Sequence, residues 1–129
     1  MLSYEVKGLD TVMARVSRVD KAMVSGVRGI ISEHTVIEAA RFRKMKYPPR
    51  LPNQRYIRTG RLGRSFGSRQ SGRSVFEVYN NTPYSRWVIW LGWQAPIHAG
   101  RWWTFQKRAQ SHVKRLVARL KKYIDKRAK

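Results

Sequence analysis

The stretch FGSRQSGRSVFEVYN, residues 66–80, decides the fold class. Its second half alternates. Phe76 and Val78 fall on one side, Val75, Glu77 and Tyr79 on the other, the period of a strand with one buried face. Ser71-Gly72 punctuates the run, so FGSRQ leads into a turn and SVFEVYN leads out of it, a hairpin. Asn80-Asn81-Thr82-Pro83 then ends the strand. What lies on either side reads mainly as helix. The expectation is a single α+β domain, a small antiparallel sheet packed with an N-terminal helical region and a long basic C-terminal helix.

Upstream, LSYEVK (2–7) alternates before Gly8 and reads as a short strand. Asp10 is placed to cap a helix on which Leu9, Val12, Met13, Val16 and Val19 recur at helical spacing. Asp20 is placed to cap a second helix, with Met23, Val27, Ile30, Ile31, His34, Ile37 and Ala40 or Arg41 on one face. Gly26 and Gly29 each weaken it by about 1 kcal/mol relative to alanine, or else let another backbone come close. Tyr47 precedes Pro48-Pro49 and is biased away from helix. Strand and helices therefore occupy 1–46, and YPPRLPNQRYIR makes 47–58 an exposed, proline-rich loop. Thr59 caps a helical turn through Ser65, and turn and hairpin fill 59–82.

The aromatic segment and loop span 83–103. Within it YSRWVIWLGW (84–93) is apolar enough for a short buried helix or a core strand, and periodicity does not choose. Thr104 caps a last helix, 104–127, whose apolar stripe is Phe105, Ala109, Val113, Leu116, Val117, Leu120 and Ile124. Its basic residues crowd the last turns, where they complement the helix dipole.

The net charge of +21 is unevenly spread. Residues 1–40 balance, as do 74–100. Residues 41–73 carry eleven basic residues and no acid, and 101–129 carry eleven against Asp125 alone. Such fields favour a polyanionic neighbour: nucleic acid, an anionic lipid surface or an acidic protein face. Membrane association through the last helix is outweighed by its core-like stripe, and no run has the length and apolarity of a membrane span or the build of a signal peptide. With no cysteine there is neither disulfide nor thiolate chemistry.

Catalytic chemistry finds little support. Most of the seven acids lie on amphipathic helices or at caps, where solvation or capping accounts for them. His34, His98 and His112 lack metal-ligand spacing, so no metal or other cofactor is expected. His34 and His112 read as partly buried core histidines. A small basic ribonuclease could use His98, Arg101 and Glu77, but nothing in the sequence places the three together. Gly60, Gly63 and Gly67 lack the ending of a phosphate loop. Nucleic-acid binding is the stronger alternative, with the 55–73 segment and the last helix supplying arginines interleaved with Tyr56, Phe66 and Tyr79. Five tryptophans (Trp87, Trp90, Trp93, Trp102 and Trp103) fall within seventeen residues. One or two at a subunit contact fits the enrichment of Trp and Arg at interface hot spots.

The order of these features resembles the tail-completion (neck, head–tail joining) proteins of long-tailed bacteriophages. YEVKGLDTVMARV resembles their strand, Gly-Leu-Asp and helix. YPPRLPNQRYIRTGRLGRSF resembles their proline-rich loop and the Arg-Thr-Gly-x-Leu-x-x-Ser turn. VYNNTPYSRWVIWLG resembles their strand, asparagine and Tyr-Ala-x-x-Val segment, and QAPIHAGRWWT the lead into their last helix. Ser85 stands where the family often has alanine, and Leu91-Gly92 lacks the acidic residue common before the glycine. The resemblance implies a non-enzymatic virion part that is made in the host cytoplasm. It would assemble as a ring, often of six subunits, between head-connector and tail-tube proteins, with packaged DNA nearby. It makes Thr59, Gly60, Leu62, Ser65 and Phe66 a structural turn and anchor. Arg50, Arg55, Tyr56, Arg58, Arg61, Arg64, Trp87, Trp90, Trp93, His98, Arg101 and Trp102 become candidate partner contacts. The remaining arginines of the turn segment, Arg69 and Arg73, would also face outward. The loops 44–58 and 94–103 are expected to order against neighbouring rings.

Overall fold

The computed structural model describes residues 2–49 and 60–127. Strand β1 (Leu2–Glu5) leads to helices α1 (Leu9–Val19) and α2 (Lys21–Lys44). A single turn, α3 (Arg61–Arg64), precedes the hairpin of β2 (Phe66–Gly72) and β3 (Val75–Asn80). Then come α4 (Ser85–Ile89) and α5 (Phe105–Arg127). The architecture is α+β, as the alternation in residues 66–80 requires.

β3 is the central strand of an antiparallel sheet ordered β1-β3-β2. The register sets Leu2 and Phe66 opposite Asn80, and Glu5 and Arg69 opposite Glu77. Phe76, Val78 and Asn80 point into the core, while Glu77 and Tyr79 lie on the other face. On that face Arg69 donates to Glu77 at 2.7 Å and lies over the Tyr79 ring. Opposite charge on one side of Glu77 offsets the like charge of Glu5 on the other. The hairpin turns at Arg73-Ser74, two residues beyond the expected Ser71-Gly72, because a bulge between Gln70 and Gly72 carries β2 further.

Two apolar clusters hold the helices to the sheet. Leu9, Met13, Met23, Val27, Ile31, Phe76, Leu116 and Leu120 join α1, the first half of α2 and the second half of α5. Ala39, Phe42, Leu62, Phe66, Val78, Ile89, Trp102 and Phe105 join the other end of α2 to α3, the hairpin, α4 and the start of α5. Phe42 stacks on both Phe66 and Phe105.

Several local expectations shift. α1 begins after Gly8, whose φ of 86° suits glycine, and Asp10 sits in the first turn and does not cap it. Asp20 does cap α2, accepting from the Ala22 N–H at 3.0 Å. Gly26 makes room for a side chain and not for a backbone: a Cβ there would meet the Tyr123 ring of α5, while Gly29 faces open space. Val19 is exposed. The aromatic segment resolves as helix over 85–89. On α5 the buried line is Phe105, His112, Leu116 and Leu120, and Val113 and Val117 are 37% and 56% exposed. The stripe is rotated from its expected setting because His112 takes an inward place.

Candidate partner interface

The turn between α2 and the hairpin is built for support. Gly60 begins α3 at φ 77°. Leu62 and Phe66 are buried. Ser65 Oγ donates to the Arg61 carbonyl at 2.6 Å, and the Gly63 N–H donates to Tyr47 Oη at 2.6 Å. The buried Asn80 side chain donates to the Leu62 carbonyl and accepts from both the N–H and the hydroxyl of Thr82. Ser85, where the resemblance leads one to expect alanine, donates to the Thr82 carbonyl at 2.9 Å. Three polar side chains thus tie β3, α3 and α4 into one corner. Arg61 and Arg64 are exposed on α3. Thr59 lies outside the described residues, as do Arg50, Arg55, Tyr56 and Arg58.

From this corner the chain runs into the aromatic segment, and its rings divide. Ile89 is fully buried and Trp90 packs toward Phe105. Trp102 is buried against Tyr47. Trp90 and Trp102, expected as partner contacts, therefore pack into the core: a small domain needs large rings to fill it. Trp87 and Trp93 are 47% and 52% exposed, and Leu91 between them is 62% exposed. The two indoles meet edge to face at 5.6 Å, with the Arg86 guanidinium 5.8 Å from each ring centroid. Tyr84 and Ile97 are exposed in the same segment. Burial raises the Tyr84 hydroxyl above its ordinary range, partly offset by the charge of Arg61.

The backbone under these side chains is clamped. Gln106 of α5 accepts from the Leu91 N–H at 3.0 Å and donates to its carbonyl at 3.3 Å. Gln94 donates to the Val88 carbonyl at 2.7 Å, and the Ala95 N–H donates to the Trp87 carbonyl. Residues 94–103, expected as an open loop, form hydrogen-bonded turns. Arg101 donates to the carbonyls of Ile97 and Pro49, so this candidate contact serves as an internal staple. His98 packs edge-on against Trp102.

A second constellation lies between the two apolar clusters. Glu38, expected to be solvated like most of the acids, is 1% exposed. Arg115 of α5 grips both its oxygens, at 2.8 and 2.6 Å. His34 Nε2 is 3.5 Å from the same carboxylate, and Arg41 Nε is 3.7 Å from it. The His34 and His112 rings are 4.9 Å apart, and the Tyr4 hydroxyl of β1 shares a hydrogen bond with His112 Nδ1 at 2.7 Å. Burial would raise Glu38, but the Arg115 contacts overcome it and hold the carboxyl below its usual range. Burial pushes His112 down to about 4, with His34 adding repulsion, and it lowers His34 as well. Burial likewise pushes the Tyr4 hydroxyl up. Both histidines are core residues, as expected, and His34 has a carboxylate companion, Glu38, one helical turn away. Among the described residues no group of His, Cys, Asp and Glu is arranged to hold a metal ion.

The nucleic-acid alternative loses one ring here: Phe66 is buried, while Tyr56 lies outside the described residues. Glu77, one member of the ribonuclease trio, is taken by Arg69 in the sheet. Among the described residues no helix is long and apolar enough to cross a membrane. No family model, curated protein or solved structure matches the chain.

Proposed function

We propose that the chain is a tail-completion or head–tail joining protein of a long-tailed bacteriophage. It would be a non-enzymatic virion component that assembles as a ring and bridges head-connector and tail-tube proteins. The observation that carries this reading is the exposed Trp87–Leu91–Trp93 surface on a clamped backbone. Small domains bury large rings when they can. Apolar side chains left in water on a rigid support are a preformed protein-contact surface, with little ordering cost on binding. The chain-long order of motifs supports the family. The sheet order adds a second assembly feature, since β1 and β2 stand at its edges.

Basic nucleic-acid binding is the second reading, favoured by one observation. From Ala39 to Ile124 the chain has a single acid, Glu77, against a long run of basic side chains. A titration of labelled duplex DNA separates the readings. A nucleic-acid module that neutralises several phosphates binds tightly and loses on the order of a thousandfold in affinity between about 50 and 200 mM salt. The assembly reading expects only weak binding, already absent near about 0.15 M salt. Tight, sequence-tolerant duplex binding by a monomer would overturn it.

A further inference from the structure

The Trp87–Leu91–Trp93 surface also indicates what kind of partner it takes. Arg86 lies against both indoles, and among the described residues it has no ion pair. Residues 78–124 contain no Asp or Glu, so the surrounding chain supplies it no carboxylate, and Glu77 is held by Arg69. The surface therefore sets apolar Leu91 beside the guanidinium of Arg86, with no carboxylate from its own stretch of chain. Its rings are poorly placed to stack on bases, since they meet each other edge to face and Arg86 lies over both. The most exposed apolar residue of the surface, Leu91, is aliphatic and offers no stacking face. A second copy of this chain fits poorly as well. Of its seven acids, Asp20, Glu33, Glu38 and Glu77 are already paired with arginines, which leaves Glu5, Asp10 and Asp125 outside the ion pairs of the described residues, and each copy brings a net charge of +21.

We propose that this surface docks an acidic amphipathic segment of a different protein, one that covers Leu91 and Trp93 with apolar side chains and sets a carboxylate on Arg86. The proposal rests on the assembly reading and deepens it: the surface serves the contact with a neighbouring component, not the contact between subunits.

The test uses the full chain, freed of nucleic acid, and a labelled synthetic helical peptide with leucines on one face and glutamates on the other. Anisotropy reports binding, and light scattering on the same samples reports the protein's own assembly. Wild type is expected to bind, and Arg86→Gln and Leu91→Ser each to weaken binding by about tenfold. Lys121→Gln, which removes one charge elsewhere, is expected to change it less than about twofold. A peptide with glutamine for every glutamate should bind far more weakly. Equal loss from Lys121→Gln and Arg86→Gln, with none from Leu91→Ser, would mean diffuse charge attraction and overturn the proposal. So would a single-stranded oligonucleotide that binds more tightly than the peptide and depends on the same residues. A fall in assembly mass on Leu91→Ser without peptide would make the surface a subunit contact, which also overturns it. None of these results would by itself remove the assembly reading, which the mass of the wild-type protein decides.

Discussion

Glu38 and Arg115 form a bidentate ion pair whose two members are unequally buried. The Glu38 side chain is 2% exposed and that of Arg115 is 38% exposed. Removing each partner should therefore cost differently. Arg115→Met leaves a carboxylate in the core with Arg41 and the two histidines near it but without its bidentate partner, and should lower stability by about 3 kcal/mol. Glu38→Gln leaves a guanidinium that can turn toward water, and should cost about 1 kcal/mol. Urea unfolding of the two variants checks the asymmetry, and equal losses would contradict it. The neighbouring histidines set a pH dependence. His112 titrates near 6.5 when unfolded and about 4 when folded. The folded state then binds fewer protons between those values, so stability is full above about pH 6.5 and falls as pH drops toward 4. The loss from His112 is on the order of 3 kcal/mol. Melting temperatures across that range should fall in wild type and fall less in His112→Phe. Little of this was legible in the sequence. His34 and Glu38 are four residues apart on one helix face, which was the available signal. That Arg115 lies 77 positions away and reaches the same face is a product of tertiary packing.

Among the elements, α5 shows where periodicity misleads. Valines and histidines compete for the inward line of a helix, and hydropathy alone favours Val113 and Val117. Packing against α2 and β1 puts His112 inside, because Tyr4 and the polar layer offer it partners. Leu116→Ala should cost about 3 kcal/mol, while Val117→Ala should stay within about 0.5 kcal/mol, both read from urea unfolding. Reversal of that order would contradict the rotated stripe. The corner after β3 is a second such element. Asn80 is fully buried and satisfies a carbonyl of α3 and both donors of Thr82. Asn80→Ala should lower stability by about 2 kcal/mol in the same measurement, since it leaves the Leu62 carbonyl and the Thr82 donors without that partner. The asparagine was legible only as a strand breaker. Its role depends on Leu62 lying across the corner, which no local pattern encodes. Strand alternation in β3 and the Asp20 cap were legible because both depend on neighbours in sequence.

The whole molecule combines balanced charge over residues 1–40 and 74–100 with two strongly basic blocks, 41–73 and 101–129, and an exposed aromatic surface. Its α+β class could be read from one hairpin and the helical periods around it. The partition of the tryptophans could not. Inward packing of Trp90 and Trp102, and exposure of Trp87 and Trp93, follow from how the 84–103 segment folds over Phe105 and Tyr47. On the reading proposed above, this chain works by assembling with protein. Light scattering on a sizing column decides it, with nucleic acid removed, at about 0.15 M and about 1 M salt, and with negative-stain images of each peak. A ring whose mass persists at the higher salt is expected, because backbone pairing at the sheet edges β1 and β2 is not screened as surface charges are. A salt-independent monomer that binds duplex DNA tightly when DNA is added back would contradict it.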